Sequence, residues 1–312
     1  MHTPLWGWAL AVGMVVGLLL VDFRVQGAVH ARGLRGAVGL SLAWIAAGVA
    51  FGVGLGAFRG SAMSAQYFAG YLLEKALSID NVFVFALLFR AFAVPSELQH
   101  RVLFYGVFGA LVLRGGFIAA GGALVQHVSW IFYVFGALLL LASYRMLRGE
   151  VRVVGERSPL IRLLRRVVPI ADKYEGTAFL TRRGGRVAAT PLVVALVAIE
   201  ATDVVFAMDS IPAIFGVTKD LFVVFTSNAF AILGLRALYF VLAHAIDRFV
   251  FLRQGLALLL ALIGVKMLLE EVVQIPIAVS LGAIVVVVAA AIAASSWVAH
   301  HGVPPRRFER ER

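Results

Sequence analysis

Apolar runs long enough to cross a lipid bilayer recur along almost the whole chain. The hydrocarbon core of a bilayer is about 30 Å thick, which a helix of about 20 apolar residues can span. Of the 312 residues, 62% are hydrophobic and 14% are charged, so too little polar surface remains to cover a soluble domain of this size. The sequence therefore predicts an all-α polytopic membrane protein with a single transmembrane domain, residues 1–312. The nine predicted spans cover residues 5–22, 36–57, 67–91, 102–124, 129–147, 190–215, 221–243, 255–272 and 276–298.

Positive charge is distributed unevenly between the loops that join these spans. The segment from Arg145 to Arg186, which contains the loop 148–189, carries ten arginines and one lysine against four acidic residues. The tail 299–312 adds four arginines, whereas the loops predicted on the opposite side are nearly bare of positive charge. Because positively charged loops stay in the cytoplasm, the N-terminus is predicted outside and the C-terminus inside.

The basic loop 148–189 and the basic tail have a simple interpretation in this topology. They orient the chain and contact anionic lipid at the cytoplasmic surface. The loop lacks the interleaved aromatic residues that stack on bases, so no nucleic-acid partner is predicted.

Five acidic residues lie inside two of the apolar spans. An ionised carboxylate at the centre of a membrane helix costs about 2.5–3.5 kcal/mol on insertion scales, so such groups normally face a polar interior that binds something. The chain has no cysteine, which leaves oxygen and imidazole ligands and favours a hard cation. The five residues are Glu74 and Asp80 in the third span, and Glu200, Asp203 and Asp209 in the sixth.

The polar pattern of the third span recurs in the sixth. Glu74 and Asp80 are six residues apart, as are Asp203 and Asp209, and each second acid is followed by a small polar residue. Those two small polar residues are Asn81 and Ser210.

One span later in each half, an arginine stands in an apolar run. Arg114 lies in LVLRGGF and Arg236 in ILGLRAL. An offset of three spans inverts one half relative to the other, as in many secondary transporters whose sites lie at the repeat interface. The repeats are predicted to cover about 36–124 and 190–272.

Helical geometry predicts which of these polar residues can meet. Glu74, Ser78 and Asn81 share one helix face, whereas Asp80 lies about 240° from Glu74 on an unbroken helix. Asp209 is related to Asp203 in the same way. Pro212 predicts a break in the sixth span, because proline frees the carbonyl four residues earlier; the repeat extends this prediction to the region of Asp80.

Structural alternatives exist for several of these residues. Asp80 and Asp209 could instead neutralise Arg114 and Arg236 as buried ion pairs. Asn228, with its neighbours in FTSNAF, could be a ligand or could pack between helices. Lys75 is expected to extend toward the outer interface rather than into the site.

Together these patterns define a candidate site and exclude common catalytic motifs. No nucleophile elbow, zinc-protease helix or nucleotide-binding loop is present, so no enzymatic activity is predicted. The structural ion-pair candidates are Arg114 and Arg236. The candidate metal ligands are Glu74, Asp80, Asn81, Glu200, Asp203, Asp209, Ser210 and Asn228.

The segments that carry these residues also resemble a known family. GYLLEKALSIDNVFVFALLF, ATDVVFAMDSIPAIFGVTKD and FTSNAFAILGLRALYF closely resemble the TerC integral membrane proteins, which include the Alx manganese exporters of the LysE-like transporter superfamily. The resemblance covers nearly the whole chain. It implies inverted three-helix repeats, a role in divalent metal homeostasis with manganese(II) as the main candidate, and an association with tellurite resistance.

The resemblance also implies that the family's intramembrane acidic motif falls on the same residues in this chain. It corresponds to Glu74, Asp80 and Asn81 in one half, and to Glu200, Asp203 and Asp209 in the other. The segment FGVTKD departs from relatives that have Asp-Pro after the threonine, but this difference lies in a loop.

The functional hypothesis is a manganese(II) exporter of the bacterial inner membrane that works by alternating access and has no permanently bound cofactor. Proton coupling is open, because carboxylates can take either the cation or protons. The alternatives are a membrane scaffold or metal-delivery partner of the secretion machinery, or a tellurite-resistance protein without direct transport. The sequence also allows contacts between copies of the chain in a homo-oligomer.

Overall fold

The computed structural model is a bundle of α-helices with one small hairpin. It describes residues 3–30, 33–128, 130–148, 158–171, 174, 176–183, 186–242, 251–269, 272 and 275–300. The predicted tail beyond residue 300 and residues 149–157 of the basic loop lie outside this part of the chain. The helices are α1 Leu5–His30, α2 Gly33–Arg59, α3 Ser61–Ala91, α4 Ser96–His127, α5 Ile131–Leu147, α6 Pro159–Val167, α7 Pro191–Phe215, α8 Leu221–Ile232, α9 Leu235–Leu242, α10 Leu252–Leu268 and α11 Ile277–His300, and the strands are β1 Leu180–Arg183 and β2 Arg186–Ala189.

Each predicted span coincides with a helix, the seventh with the pair α8 and α9. Within the described residues, five helices (α1, α2, α4, α7 and α11) are long and apolar enough to cross a membrane, and the bent pair α8–α9 makes a sixth. The other three predicted spans correspond to α3, which contains charged residues, and to α5 and α10, which are 17 residues long. The protein is therefore a polytopic helical membrane protein, and the count of nine spans stays a prediction.

Helix α3 lies at the centre of the bundle. It packs against α2, α7, α8, α9 and α11, while α4 packs on α7 and α5 packs along α10. Helix α3 thus meets α8 as α4 meets α7, where α3 and α4 belong to one predicted repeat and α7 and α8 to the other. Because α3 packs against several other helices, its buried polar residues Glu74, Ser78 and Asn81 lie inside the bundle rather than against lipid.

The predicted break in the sixth span is absent, and the break falls in the seventh. Helix α7 is continuous through Pro212, and α3 is continuous past Asp80. Pro212 lies in the last turn of α7, so the loss of its hydrogen bond disturbs little of the helix that follows. The chain instead bends by 40° between α8 and α9, where Gly234 has φ +80°.

Glycine is required at that break for two reasons. A positive φ is strained for a residue with a side chain. A Cβ at Gly234 would also lie 2.6 Å from Cβ of Trp44 on α2. At the other end of α8, Asp220 caps the helix, its Oδ1 accepting from the amides of Phe222 at 2.9 Å and Val223 at 3.2 Å.

The basic loop between α5 and α7 contains regular structure. It holds the short helix α6 and the antiparallel hairpin β1–β2, in which Leu180 pairs with Ala189. The loop contacts the α3–α4 connection, because Tyr174 Oη donates to the carbonyl of Phe92 at 2.6 Å and Arg101 Nη1 donates to that of Thr177 at 2.7 Å. These two segments, both predicted to be cytoplasmic, lie at the same end of the bundle.

Candidate cation site

A single arginine joins acidic residues from both halves of the bundle. Arg114 on α4 is buried, and its Nε and Nη2 donate to the two carboxylate oxygens of Asp203 on α7, at 3.0 Å and 2.9 Å. Its Nη1 donates to Oε1 of Glu74 on α3 and to Oγ of Ser210 on α7, the latter at 3.3 Å. We call these four residues the Arg114 cluster. Arg114 thus binds both carboxylates through one fork of donors.

The Arg114 cluster has unequal numbers of opposite charges. Glu74 and Asp203 are exposed by 0% and 3%, and two carboxylates against one guanidinium leave one formal negative charge in the bundle interior. The second carboxylate oxygen of Glu74, Oε2, is buried and has no hydrogen-bond partner. A buried carboxylate oxygen without a donor is costly, so this side of the cluster is suited to an additional cation or a proton.

Glu200 is the next carboxylate along α7, one turn before Asp203. It is half-buried, and its Oε2 also has no hydrogen-bond partner. It lies against Gly109 on α4, where a Cβ would collide with its carboxylate. Glycine at this position is therefore what lets the Glu200 carboxylate reach the surface of α4.

Small polar side chains are buried on both α3 and α8. Ser78, Asn81 and Asn228 are all at least 96% buried, and α3 packs directly on α8. Oγ of Ser78 and Nδ2 of Asn228 have no hydrogen-bond partner. By contrast, Thr226 and Ser227 donate to carbonyls of their own helix, to Phe222 at 2.7 Å and Val224 at 3.2 Å, which is ordinary helix packing.

The two remaining predicted ligands lie farther along their helices. Asp209 is half-buried on α7, one residue before Ser210, and it has interactions of its own. Asp80 belongs to α3, but its side chain lies outside the described part of the structure.

The second repeat arginine has a partner that the sequence prediction missed. Arg236 on α9 donates from Nη1 to Oδ2 of Asp22 on α1 at 3.0 Å, and its guanidinium lies 5.0 Å from the ring centroid of Phe104. Oδ1 of Asp22 accepts from Nε1 of Trp44 at 3.0 Å. Asp22 was predicted to end the first span, whereas α1 continues to His30. The sequence signal that could have identified this partner is that Asp22 is acidic and lies within an apolar helix rather than at its end.

The side chain of Lys75 does not extend toward the outer interface as predicted. Its Nζ donates to the carbonyls of Ala231 at 2.9 Å and Leu233 at 3.3 Å, at the break between α8 and α9. The prediction was wrong because a broken helix offers unpaired carbonyls inside the bundle, which a linear hydropathy pattern does not reveal.

Among the described residues, no group of three or more histidine, aspartate or glutamate side chains is placed to hold a metal ion. The geometry of the Arg114 cluster gives the reason, since a guanidinium lies between the carboxylates of Glu74 and Asp203. The cluster in this conformation is an ion triad whose central cation is supplied by the protein itself.

Comparison with known proteins places this bundle in a family. The profile of the integral membrane protein TerC family matches residues 59–302. No solved structure gives a significant match. The chain is 43% identical over 306 residues to "Putative membrane-bound redox modulator Alx" of Photorhabdus laumondii, covering 94% of this chain and 95% of that protein.

Two further relatives are similar over nearly their full length. The Escherichia coli K12 protein of the same name is 41% identical over 308 residues, covering 95% of each chain. "Uncharacterized membrane protein STKORF319" of Myxococcus xanthus is 41% identical over 296 residues, covering 94% of this chain and 93% of that protein. The chain is thus an integral membrane protein, and it belongs to the TerC family.

Proposed function

We propose that the protein transports divalent cations across the membrane, exporting manganese(II) by alternating access. The observation that carries the proposal is the meeting of Glu74 and Asp203, one from each half, at a single buried guanidinium. Two carboxylates offset the charge of one divalent cation, whereas here they hold one positive charge. The guanidinium of Arg114 therefore occupies the place that the transported cation would take.

This arrangement supports a mechanism in which Arg114 and the metal ion exclude each other. Without metal, Arg114 neutralises the carboxylates and closes the contact between α3, α4 and α7. When a divalent cation binds, it competes for the same oxygens, and the guanidinium must leave Asp203 and Glu74. A site with two mutually exclusive occupants is a two-state element, which is what alternating access requires.

Glu200 provides a path to the buried pair. In the predicted topology α7 begins in the cytoplasm, so Glu200 lies one turn closer to the cytoplasm than Asp203. Its half-buried carboxylate has an oxygen without a partner. We assign it the role of first ligand for a cation arriving from the cytoplasm, a direction that fits export.

Manganese is the proposed substrate because of the family resemblance and the nature of the ligands. Carboxylate, amide and hydroxyl oxygens suit manganese, magnesium and calcium. The name of the Alx relatives refers to redox modulation. Since this sequence contains no cysteine, thiol chemistry by its own side chains is excluded, and supply of a metal is the route by which this chain would affect redox state.

Manganese flux into proteoliposomes tests the proposal. Glu74→Gln and Asp203→Asn should each lower the initial flux at least about tenfold, because each removes a charged ligand worth about 1.5–3 kcal/mol. Each variant leaves Arg114 with one carboxylate, so the fold should persist. Glu97→Gln, which removes one exposed carboxylate at the start of α4, is the matched control and should transport normally.

Two outcomes would contradict the proposal. Normal flux in both acid variants would show that the Arg114 cluster is structural only. A cellular function that survives both substitutions but is lost when the exposed arginines of α6 are neutralised would favour the membrane-scaffold alternative.

A further inference from the structure

The break between α8 and α9 exposes backbone carbonyls inside the bundle. Helix α8 ends at Ile232, and Gly234 turns the chain into α9 with φ +80°. The last carbonyls of a helix have no partner within that helix, and they form its partially negative end. In a membrane bundle such groups require a donor or a cation, because lipid offers neither.

Lys75 supplies that cation from α3. Its ammonium donates to the carbonyls of Ala231 and Leu233, which flank the end of α8. Both hydrogen bonds are to neutral backbone carbonyls, and the negative charge that acts on the ammonium is that of Glu74, the preceding residue of α3. Lys75 is adjacent to Glu74 in sequence but is turned about 100° around α3, and it therefore serves a different site from the Arg114 cluster.

We propose that the carbonyls of Ala231 and Leu233 form a site for a monovalent cation, which Lys75 fills with its own ammonium. Unwound backbone and helix C-terminal ends coordinate monovalent ions in membrane transporters. An ammonium matches such a site in charge and in its preference for carbonyl oxygen. Because both ligands are uncharged carbonyl oxygens, they suit a monovalent ion, whose single charge needs less compensation than that of a divalent ion.

The proposal predicts that a free ion can replace a missing Lys75 side chain. Lys75→Ala removes the ammonium and its stem and leaves space beside the carbonyls. Sodium, potassium, ammonium or propylammonium should enter this space and restore the lost stability. Lys75→Met also removes the charge, but its unbranched side chain fills most of the same space and should keep ions out.

The experiment measures the apparent Tm of the purified, detergent-solubilised protein in each of these chlorides and in choline chloride at equal ionic strength. Lys75→Ala should melt below the wild type in choline, and at least one of the smaller cations should raise its Tm by about 2–4 °C relative to choline. The wild type and Lys75→Met should show the same Tm in all salts.

A second lysine provides a matched control. Lys266 donates to Oγ of Ser280 at 3.0 Å, a side-chain acceptor, so Lys266→Ala should show no response specific to small cations. If Lys75→Ala cannot be recovered folded, Lys75→Gln serves instead, because it is one atom shorter than lysine and adds a carbonyl oxygen as a further ligand.

Two results would overturn the proposal. A Lys75→Ala or Lys75→Gln protein whose Tm is the same in choline and in all smaller cations would show that the carbonyls do not bind ions. An equal response in Lys75→Met would show a general salt effect. Neither outcome depends on manganese flux, so this inference can fail while the proposed transport function stands.

Discussion

Replacing Arg114 with methionine is expected to lower the free energy of unfolding by about 3–5 kcal/mol, the usual cost of removing one partner from a buried ion pair. Glu74 and Asp203 would remain in the bundle interior with no positive charge between them. Methionine fills much of the space of the arginine stem, so the loss reports the charge rather than a cavity. Denaturant unfolding in mixed micelles measures the difference.

A compensating variant separates charge from packing. Neutralising all three groups, as Glu74→Gln, Arg114→Met and Asp203→Asn together, removes every unpaired buried charge and should recover most of the lost stability. If the triple variant is no more stable than Arg114→Met alone, unpaired carboxylates are not the cause of the loss. Manganese should also stabilise Arg114→Met more than it stabilises the wild type, because the competing guanidinium is gone.

Replacing Asp22 with asparagine is expected to cost a similar amount, about 3–5 kcal/mol. Arg236 is 2% exposed, and Asp22 gives it a carboxylate oxygen at 3.0 Å. Asparagine keeps an acceptor for Nε1 of Trp44, so the substitution removes the charge and preserves the second hydrogen bond. Unfolding measured as for Arg114→Met gives the cost.

Trp44→Phe is the control for the Asp22 substitution. It removes only the neutral donor to Asp22 and should cost about 0.5–1.5 kcal/mol for the hydrogen bond, beyond any change in packing. If Asp22→Asn is at least as stable as Trp44→Phe, the buried ion pair between Asp22 and Arg236 does not stabilise the contact between α1 and α9.

Several features of the bundle could be predicted from sequence because charged groups in a membrane helix are stable only where they face the bundle interior or water. Glu74 and Ser78 are spaced for one helix face, and both prove to be buried on α3. The recurrence of acids and arginines in both halves predicted groups that share an interior, and the structure brings Glu74, Asp203 and Arg114 together. Such inferences succeed where the cost of the alternative, a charge in hydrocarbon, is several kcal/mol.

The features that sequence reasoning missed depend on backbone conformation and tertiary pairing. Pro212 was a plausible helix breaker, but a proline in the last turn costs little, while Gly234 breaks its helix through a dihedral angle that hydropathy does not encode. Lys75 finds its partners 156 and 158 residues away. The pairing of Arg236 with Asp22 joins α9 to α1 across 214 residues, which no local pattern specifies.

The most direct measurement is the thermal stability of the purified protein across a series of manganese, magnesium, calcium and zinc concentrations. A ligand that binds the folded state raises its apparent stability by an amount that grows with the logarithm of its concentration once this exceeds the Kd. Manganese should raise the Tm of the wild type progressively with concentration, and the rise should disappear when Glu74→Gln and Asp203→Asn are combined. A Tm that does not change with any of the divalent cations would contradict a cation site at the Arg114 cluster. A manganese response that persists without these two carboxylates would also contradict it.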